Sequence, residues 1–222
     1  MLLCQCAPIV ESMSLLLASQ AASFLAAAVV VTVSPGPDNL MVLSMGASKG
    51  RRYGVAFGMG AGLGCLSHTI LASCGVSAVV ASSPLAFGVL RLIGGAYLVW
   101  LGISALRSKG SMLEPSVGGG IKTGIRGLFM KGLLANAINP KVILFFLAFL
   151  PQFVDASRGG LVWQIAQLGI LFTLQASLLF GCLGWFAGHI GKWLQRSAAA
   201  GRWLDRIAGA VFVLIGVRLL VS

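Results

Sequence analysis

Two short stretches of an otherwise apolar chain hold most of its chemistry. Residues 34–39 read SPGPDN, placing an acid and an amide directly after two prolines, and residues 136–141 read NAINPK, two amides, a proline and an amine. Together they offer Asp38, Asn39, Asn136, Asn139 and Lys141, groups that hold a charged ligand or move a proton. The chain has 5 acids in all, Glu11, Asp38, Glu114, Asp155 and Asp205, too scattered for a two-carboxylate hydrolytic site. The backbone adds to this inventory. Proline lacks an N–H, so Pro35, Pro37 and Pro140 deprive the carbonyls of Val31, Val33 and Asn136 of their helical donors. Past each break, a restarting helix presents free N–H groups and a partial positive charge. Freed carbonyls beside amide donors suit a zwitterion, the ammonium facing the former and the carboxylate the latter, and an amino acid has that shape.

The elements that carry these stretches are membrane spans. Of 222 residues, 58% are hydrophobic and 9% charged, against about 25% charged in soluble domains. The mean hydropathy is +0.96. An apolar run of about 20 residues crosses the hydrocarbon core as a helix, and six runs fit, at 21–45, 54–80, 85–106, 132–150, 161–190 and 203–221. The reading is an all-α integral membrane protein of six transmembrane helices. Its net charge of +11 falls in short clusters between runs, which report orientation in a bilayer and give no nucleic-acid face. Basic connections follow the first, third and fifth runs. Because basic loops stay cytoplasmic, 12 of the 16 Lys and Arg place both termini outside. The exceptions are Arg91, Lys141 and Arg218 within runs and Arg158 on the outer side.

The longest polar, Gly-rich connection, 108–123, divides a single membrane domain (1–222) into two halves of three spans, 13–107 and 124–222. An odd number per half makes the halves enter the membrane from opposite sides, as two inverted three-helix repeats, the arrangement in which substrate sites form at broken helices. The first and fourth helices are both broken, at SPGPDN and at NAINPK. An ionisable residue within a span costs about 2.5–3.5 kcal/mol on insertion scales, which makes Asp38 and Lys141 functional candidates. The structural alternatives are a simple proline kink, or two charges that offset one another as a pair.

Other signals are weaker. His68, one turn beyond Cys65, has a side chain suited to relaying protons or to bonding a neighbouring carbonyl. Glycines at 54, 58 and 62, at 60 and 64, and at 184 and 188 recur every four residues and read as close helix packing. Tyr97, Trp100, Trp163, Trp185, Trp193 and Trp203 read as interface anchors. The 5 cysteines form no metal or disulfide framework by spacing. GASKG at 46–50 matches G-x-S-x-G, yet that motif needs a strand, a turn and a helix. The first residues lack a basic segment and do not read as a cleavable signal, with Met13 an alternative start that would make 1–12 an extension.

SPGPDN, followed by RRYGVAFGMGAGLG, GGAYLVWLGISALR and NAINPKVILFFLAFLPQF, resembles the lysine/threonine exporter (LysE/RhtB) family from about Met13 onward, in order and spacing. The resemblance implies efflux of amino acids or their derivatives across the bacterial cytoplasmic membrane, driven by the proton gradient, with no enzymatic step, cofactor or metal. By position it carries substrate contacts to Pro35, Gly36, Pro37, Asp38, Asn39, Asn136, Asn139, Pro140 and Lys141. Asp38 and His68 are the proton-coupling candidates. Relatives that carry an acid after GxxxG in the second span differ from this chain, which has Cys65, and this favours a neutral substrate resembling threonine, homoserine or leucine. The partners implied are a small amino acid, protons and the lipid bilayer; homo-oligomerisation is left open. A metal-cation exporter and a membrane protein without transport are the rival classes. For the orientation, a reporter that fluoresces only in the cytoplasm is expected to stay dark when fused after Ser222. A bright fusion reverses it.

Overall fold

The computed structural model describes residues 18–34, 36–76, 83–108, 124–196 and 198–221. Met13 and the residues before it, Pro35, and nearly all of the 108–123 connection lie outside the described residues. All described elements are helical. They are α1 (Ala18–Val33), α2 (Pro37–Lys49), α3 (Arg51–Leu71), α4 (Pro84–Leu106), α5 (Ile125–Ala137), α6 (Pro140–Leu144), α7 (Leu161–Arg196) and α8 (Ala198–Val221). The helix of α3 continues as a wider turn over Ala72–Val76, and that of α6 widens likewise over Phe145–Phe149 and then tightens over Leu150–Phe153.

Several boundaries have a local cause. Pro37 and Pro140 both occupy the first helical position, where a missing N–H and a fixed φ favour a start. Thus α1 and α2 form one apolar unit bent by 58°, and α5 and α6 with its extension one bent by 47°. Both expected breaks are present, in the first and fourth apolar runs. Arg51–Gly75 and Leu161–Ile190 are long and apolar enough to cross a membrane unbroken. A single residue, Gly50, joins α2 to α3 at φ 104°, a left-handed conformation that favours glycine. Ser83 caps α4 by accepting from the Ala86 N–H at 3.1 Å.

Two boundaries differ most from the sequence reading. The fourth run reaches back to Ile125, so Arg126 and Lys131 stand on a helix and not in a loop. The fifth continues to Arg196 as a helix of 36 residues, because neither proline nor glycine interrupts it after Gly191. The end of the second run, 77–80, lies outside the described residues.

Helix α3 lies between α7 and α5, while α4 pairs with α8. The glycines explain how closely the backbones approach. A Cβ at Gly60 would run into the Phe129 carbonyl of α5, and one at Gly132 into the Phe57 carbonyl of α3. Gly58 and Gly62 meet Phe180 and Ser177 of α7 in the same way, and Gly46, Gly54 and Gly184 pack together where α2, α3 and α7 converge. Gly188 faces open space and falls outside this pattern. On the other side, Gly95 packs on Gly216 and Gly102 on Gly209, so α4 and α8 run antiparallel. Those glycines frame GAYLVWLG in α4 and GAVFVLIG in α8, a short internal repeat that the four-residue spacing rule does not detect.

Aromatic rings fill the space between the broken units and α7. Phe145 has its ring centroid 5.1 Å from those of both Phe149 and Phe172. Trp185 stands half-exposed on α7 with the Arg51 guanidinium 4.3 Å from its ring centroid, a cation–π contact that ties the start of α3 to α7. Ser48 of GASKG is not on an elbow; it lies within α2 and donates its hydroxyl to the Ser44 carbonyl at 2.6 Å.

Adding one methyl group distinguishes packing glycines from bystanders. Gly132→Ala is expected to lower thermal stability in detergent by about 1–3 kcal/mol or more, as overpacking does. Gly188→Ala, with nothing within 4 Å of the new carbon, should leave it unchanged. Equal melting of the two variants would contradict the packing account.

Candidate functional site

The two breaks meet, and each holds the charge of the other. Asp38 opens α2 and is 2% exposed; its Oδ2 accepts from Asn136 Nδ2 at 2.7 Å and from Asn139 Nδ2 at 2.8 Å. In return Lys141, 5% exposed in the first turn of α6, donates from Nζ to the carbonyls of Ser34 at 3.0 Å and Val31 at 3.1 Å. The acid of the first break is thus clasped by amides of the second, and the amine of the second by carbonyls of the first. Asp38 and Lys141 do not bond each other directly, so the ion-pair alternative takes a different form: each buried charge is satisfied by neutral dipoles across the junction. Charged hydrogen bonds of this kind contribute about 1.5–3 kcal/mol each.

Of the three carbonyls freed by proline, two already have partners. Val31 O accepts from Lys141 Nζ and from Ser34 Oγ at 2.7 Å. Asn136 O accepts from the Asn139 N–H at 2.9 Å and pairs with His68 Nε2 at 3.0 Å. A carbonyl only accepts, so His68 carries its proton on Nε2 in this contact. The expectation that these oxygens stand open for a substrate ammonium is therefore corrected at both: the chain supplies its own donors. The amide donors differ between the breaks. Asn139 Oδ1 accepts from Lys141 N at 3.0 Å and caps α6, whereas α2 has no side-chain cap. With Pro37 lacking an N–H, the first turn of α2 keeps uncapped donors.

Asn136, fully buried, is the junction's hub. Its side chain reaches Asp38, its carbonyl meets His68, and its Oδ1 accepts from Cys65 Sγ at 3.4 Å. The two proton-coupling candidates, Asp38 and His68, thus touch the same residue and not each other. Gly36 lies at the crossing. Its φ of −170° is accessible to any residue, but an added Cβ would sit 2.8 Å from Lys141 Nζ. Its glycine character makes room for the ammonium. Asn39 donates Nδ2 to the Thr32 carbonyl at 2.9 Å, and Thr32 Oγ1 accepts from Gln175 Nε2 at 2.8 Å.

Of the residues assigned to substrate contact, Gly36, Pro37, Asp38, Asn39, Asn136, Asn139, Pro140 and Lys141 are brought together, with His68 beside them; Pro35 lies outside the described residues. Sequence reasoning missed Thr32, the Ser34 carbonyl as an acceptor for Lys141, Gln175 and Phe180. Gln175 and Thr173 are polar positions in an apolar helix and were the available signal; nothing local marks Phe180. An enclosed space of about 10 Å³ remains at the crossing, bordered by Thr32, Asp38, Cys65, Asn136, Lys141 and Phe180 among others, which is room for about one water. Among the described residues no group of three or more His, Cys, Asp or Glu side chains is placed to hold a metal ion.

Comparison with known proteins gives this junction a context. The chain is 33% identical over 199 residues to an uncharacterized membrane protein of Vibrio cholerae, covering 89% of this chain and 94% of the relative. It is 28% identical over 198 residues to a homoserine/homoserine lactone efflux protein of Salmonella typhimurium, covering 89% and 94%. It is 26% identical over 197 residues to a leucine efflux protein of an Enterobacter species, covering 89% and 93%. No solved structure matches. The family model described as LysE type translocator matches residues 29–222, which include both breaks and all but the first eleven described residues. The chain belongs to the LysE type translocator family of membrane proteins.

Proposed function

We propose that the protein exports a neutral amino acid, or a derivative of one, across the bacterial cytoplasmic membrane, with uptake of protons driving the exchange. The crossed clasp between the two breaks is the observation that carries this reading. Buried charges held by neutral dipoles at a helix interruption are costly in a membrane protein, and transporters place their substrate sites at such interruptions. The relatives' names supply the substrate class, and the absence of a second acid near Cys65 favours a neutral substrate.

The fold reading beneath it is six spans in two inverted repeats, with both termini outside. Three observations support the repeat arrangement. The α3 of the first half packs on α7 of the second, and α4 on α8, pairing equivalents. The bent first unit packs on α7 while the bent fourth packs on α3, a reciprocal exchange. The aligned segments GAYLVWLG and GAVFVLIG occupy the last helix of each half. Asp38 and Lys141 then stand at equivalent places, each directly after the helix-starting proline.

In this scheme Asp38, Asn136, Asn139 and Lys141 exchange partners during the cycle. A substrate carboxylate meets the uncapped first turn of α2, and the amine and acid release their dipoles as the breaks part. Asp38 and His68, both in contact with Asn136, are the groups through which protonation loosens the clasp. A metal-cation exporter, the rival class, would need several His, Cys, Asp or Glu side chains grouped together, and no such group of three is placed among the described residues.

Cells loaded with labelled amino acids should lose at least one neutral member faster when the protein is expressed, and an uncoupler should abolish the difference. Unchanged efflux across a broad panel rejects the transport reading; efflux indifferent to the uncoupler rejects proton coupling alone. Asp38→Asn and Lys141→Gln are each expected to slow efflux by about 10-fold or more at matched membrane levels, the loss of about one charged hydrogen bond. Because the two charges sit in separate hydrogen-bonded sets, the Asp38→Asn/Lys141→Gln protein should be no better than either single variant. Recovery in the double variant would show that the charges act as a pair.

A further inference from the structure

The space at the crossing holds about one water, so an amino acid needs room elsewhere against the same junction. That room exists on the far side of two shared walls. Thr32 and Phe180 border both the small enclosed space and a second cavity of about 200 Å³, open along one side between the first break and α7. Its surface is mostly apolar, from Val33, Leu179, Phe180, Leu183, Phe186 and Ile190, with Cys182 at its exposed edge. Its polar members are Thr32 and Asn39.

Asn39 gives the cavity a chemical demand. The residue is 7% exposed, and its Nδ2 is committed to the Thr32 carbonyl, which fixes the amide's orientation because a carbonyl accepts only. Its Oδ1 is left buried without a partner. An unpaired buried acceptor calls for a donor, and the same oxygen lies at Gly36, next to the uncapped first turn of α2. No acidic side chain lines the cavity, and the Lys141 ammonium, like Asn39 Oδ1, lies within 4 Å of where a Cβ on Gly36 would sit. A second positive charge would find no counter-ion here.

We propose that this alcove receives the exported substrate before the clasp opens, and that it selects neutral α-amino acids with aliphatic side chains. The ammonium donates to Asn39 Oδ1, the carboxylate faces the N–H groups that begin α2, and the side chain lies along the apolar wall of α7. Phe180 and Thr32 form the partition between this waiting position and the charged crossing. The inference rests on the exporter reading and adds a place and a selectivity to it.

Cys182 is a native reporter of occupancy. In inverted membrane vesicles, with Cys4, Cys6 and Cys74 replaced by serine and buried Cys65 left in place, a water-soluble maleimide should label Cys182. Leucine or homoserine, whichever the same vesicles are measured to transport, should slow labelling at least about fivefold, since a cleft of this kind covers most of a bound ligand. Lysine at equal concentration should not protect. Independently, Val33→Trp fills the alcove from a half-exposed position. It should raise KM for leucine about 10-fold while changing kcat little, with a smaller effect on alanine. Measured transport with no protection of Cys182, or with the same KM for leucine in Val33→Trp, overturns the alcove and leaves the exporter reading standing; a lipid tail or a second copy of the chain is then its occupant. No transport of any amino acid in the panel overturns the exporter reading itself.

Discussion

The structure depends on one constraint: two charges buried inside an apolar bundle must be satisfied without water. Asp38 finds the side-chain amides of Asn136 and Asn139, and Lys141 finds the carbonyls of Val31 and Ser34. Neither solution is local. Each charge is stable only while the other break is in place, so the clasp couples the two bent units across 98 to 110 residues of sequence. Leaving one charge alone in such an environment costs about 3–5 kcal/mol, comparable to much of a domain's stability. Much of the surrounding architecture serves that geometry. Glycines 60 and 132 let α3 and α5 approach within backbone contact, which brings Cys65 and His68 onto Asn136.

The same constraint explains why proline is useful here and not merely tolerated. A proline removes a donor from the preceding turn, and the released carbonyl becomes a ligand. Val31 O holds the ammonium of Lys141, and Asn136 O holds the ring of His68. Gly36 completes the device by leaving space where any Cβ would press on the ammonium. A clasp made of neutral dipoles and single charges can be exchanged, partner for partner, with a zwitterion that offers the same kinds of groups. A direct Asp38–Lys141 ion pair would be harder to open, because both charges would have to be uncovered together.

Much of this was legible in the sequence where the signal is strong and local. Apolar runs, the proline breaks and the every-fourth-residue glycines each follow from a single physical rule, and the breaks and all of those glycines but Gly188 appear where those rules put them. Boundaries moved where local composition misleads: Arg126 and Lys131 are basic, yet their side chains do not prevent a helix from starting at Ile125. Side-chain partners were not legible. That Lys141 bonds two carbonyls instead of Asp38 depends on the angle between two bent units, and no local pattern encodes it. Thr32, Gln175 and Phe180 escaped for the same reason, being ordinary residues made significant by what α7 brings beside them. The pairing of GAYLVWLG with GAVFVLIG was visible in principle, at a spacing of seven between its glycines.

The central claim, that the crossed clasp is where substrate acts, is tested most directly by infrared difference spectroscopy of the purified protein in lipid. The spectrum is recorded on adding an amino acid that the protein transports, with Asp38→Asn as the control. The account predicts a shift of a carboxylate band on substrate addition, absent in Asp38→Asn, as Asn136 and Asn139 let go of Oδ2. A saturating, transported substrate that leaves the Asp38 band unmoved would contradict it.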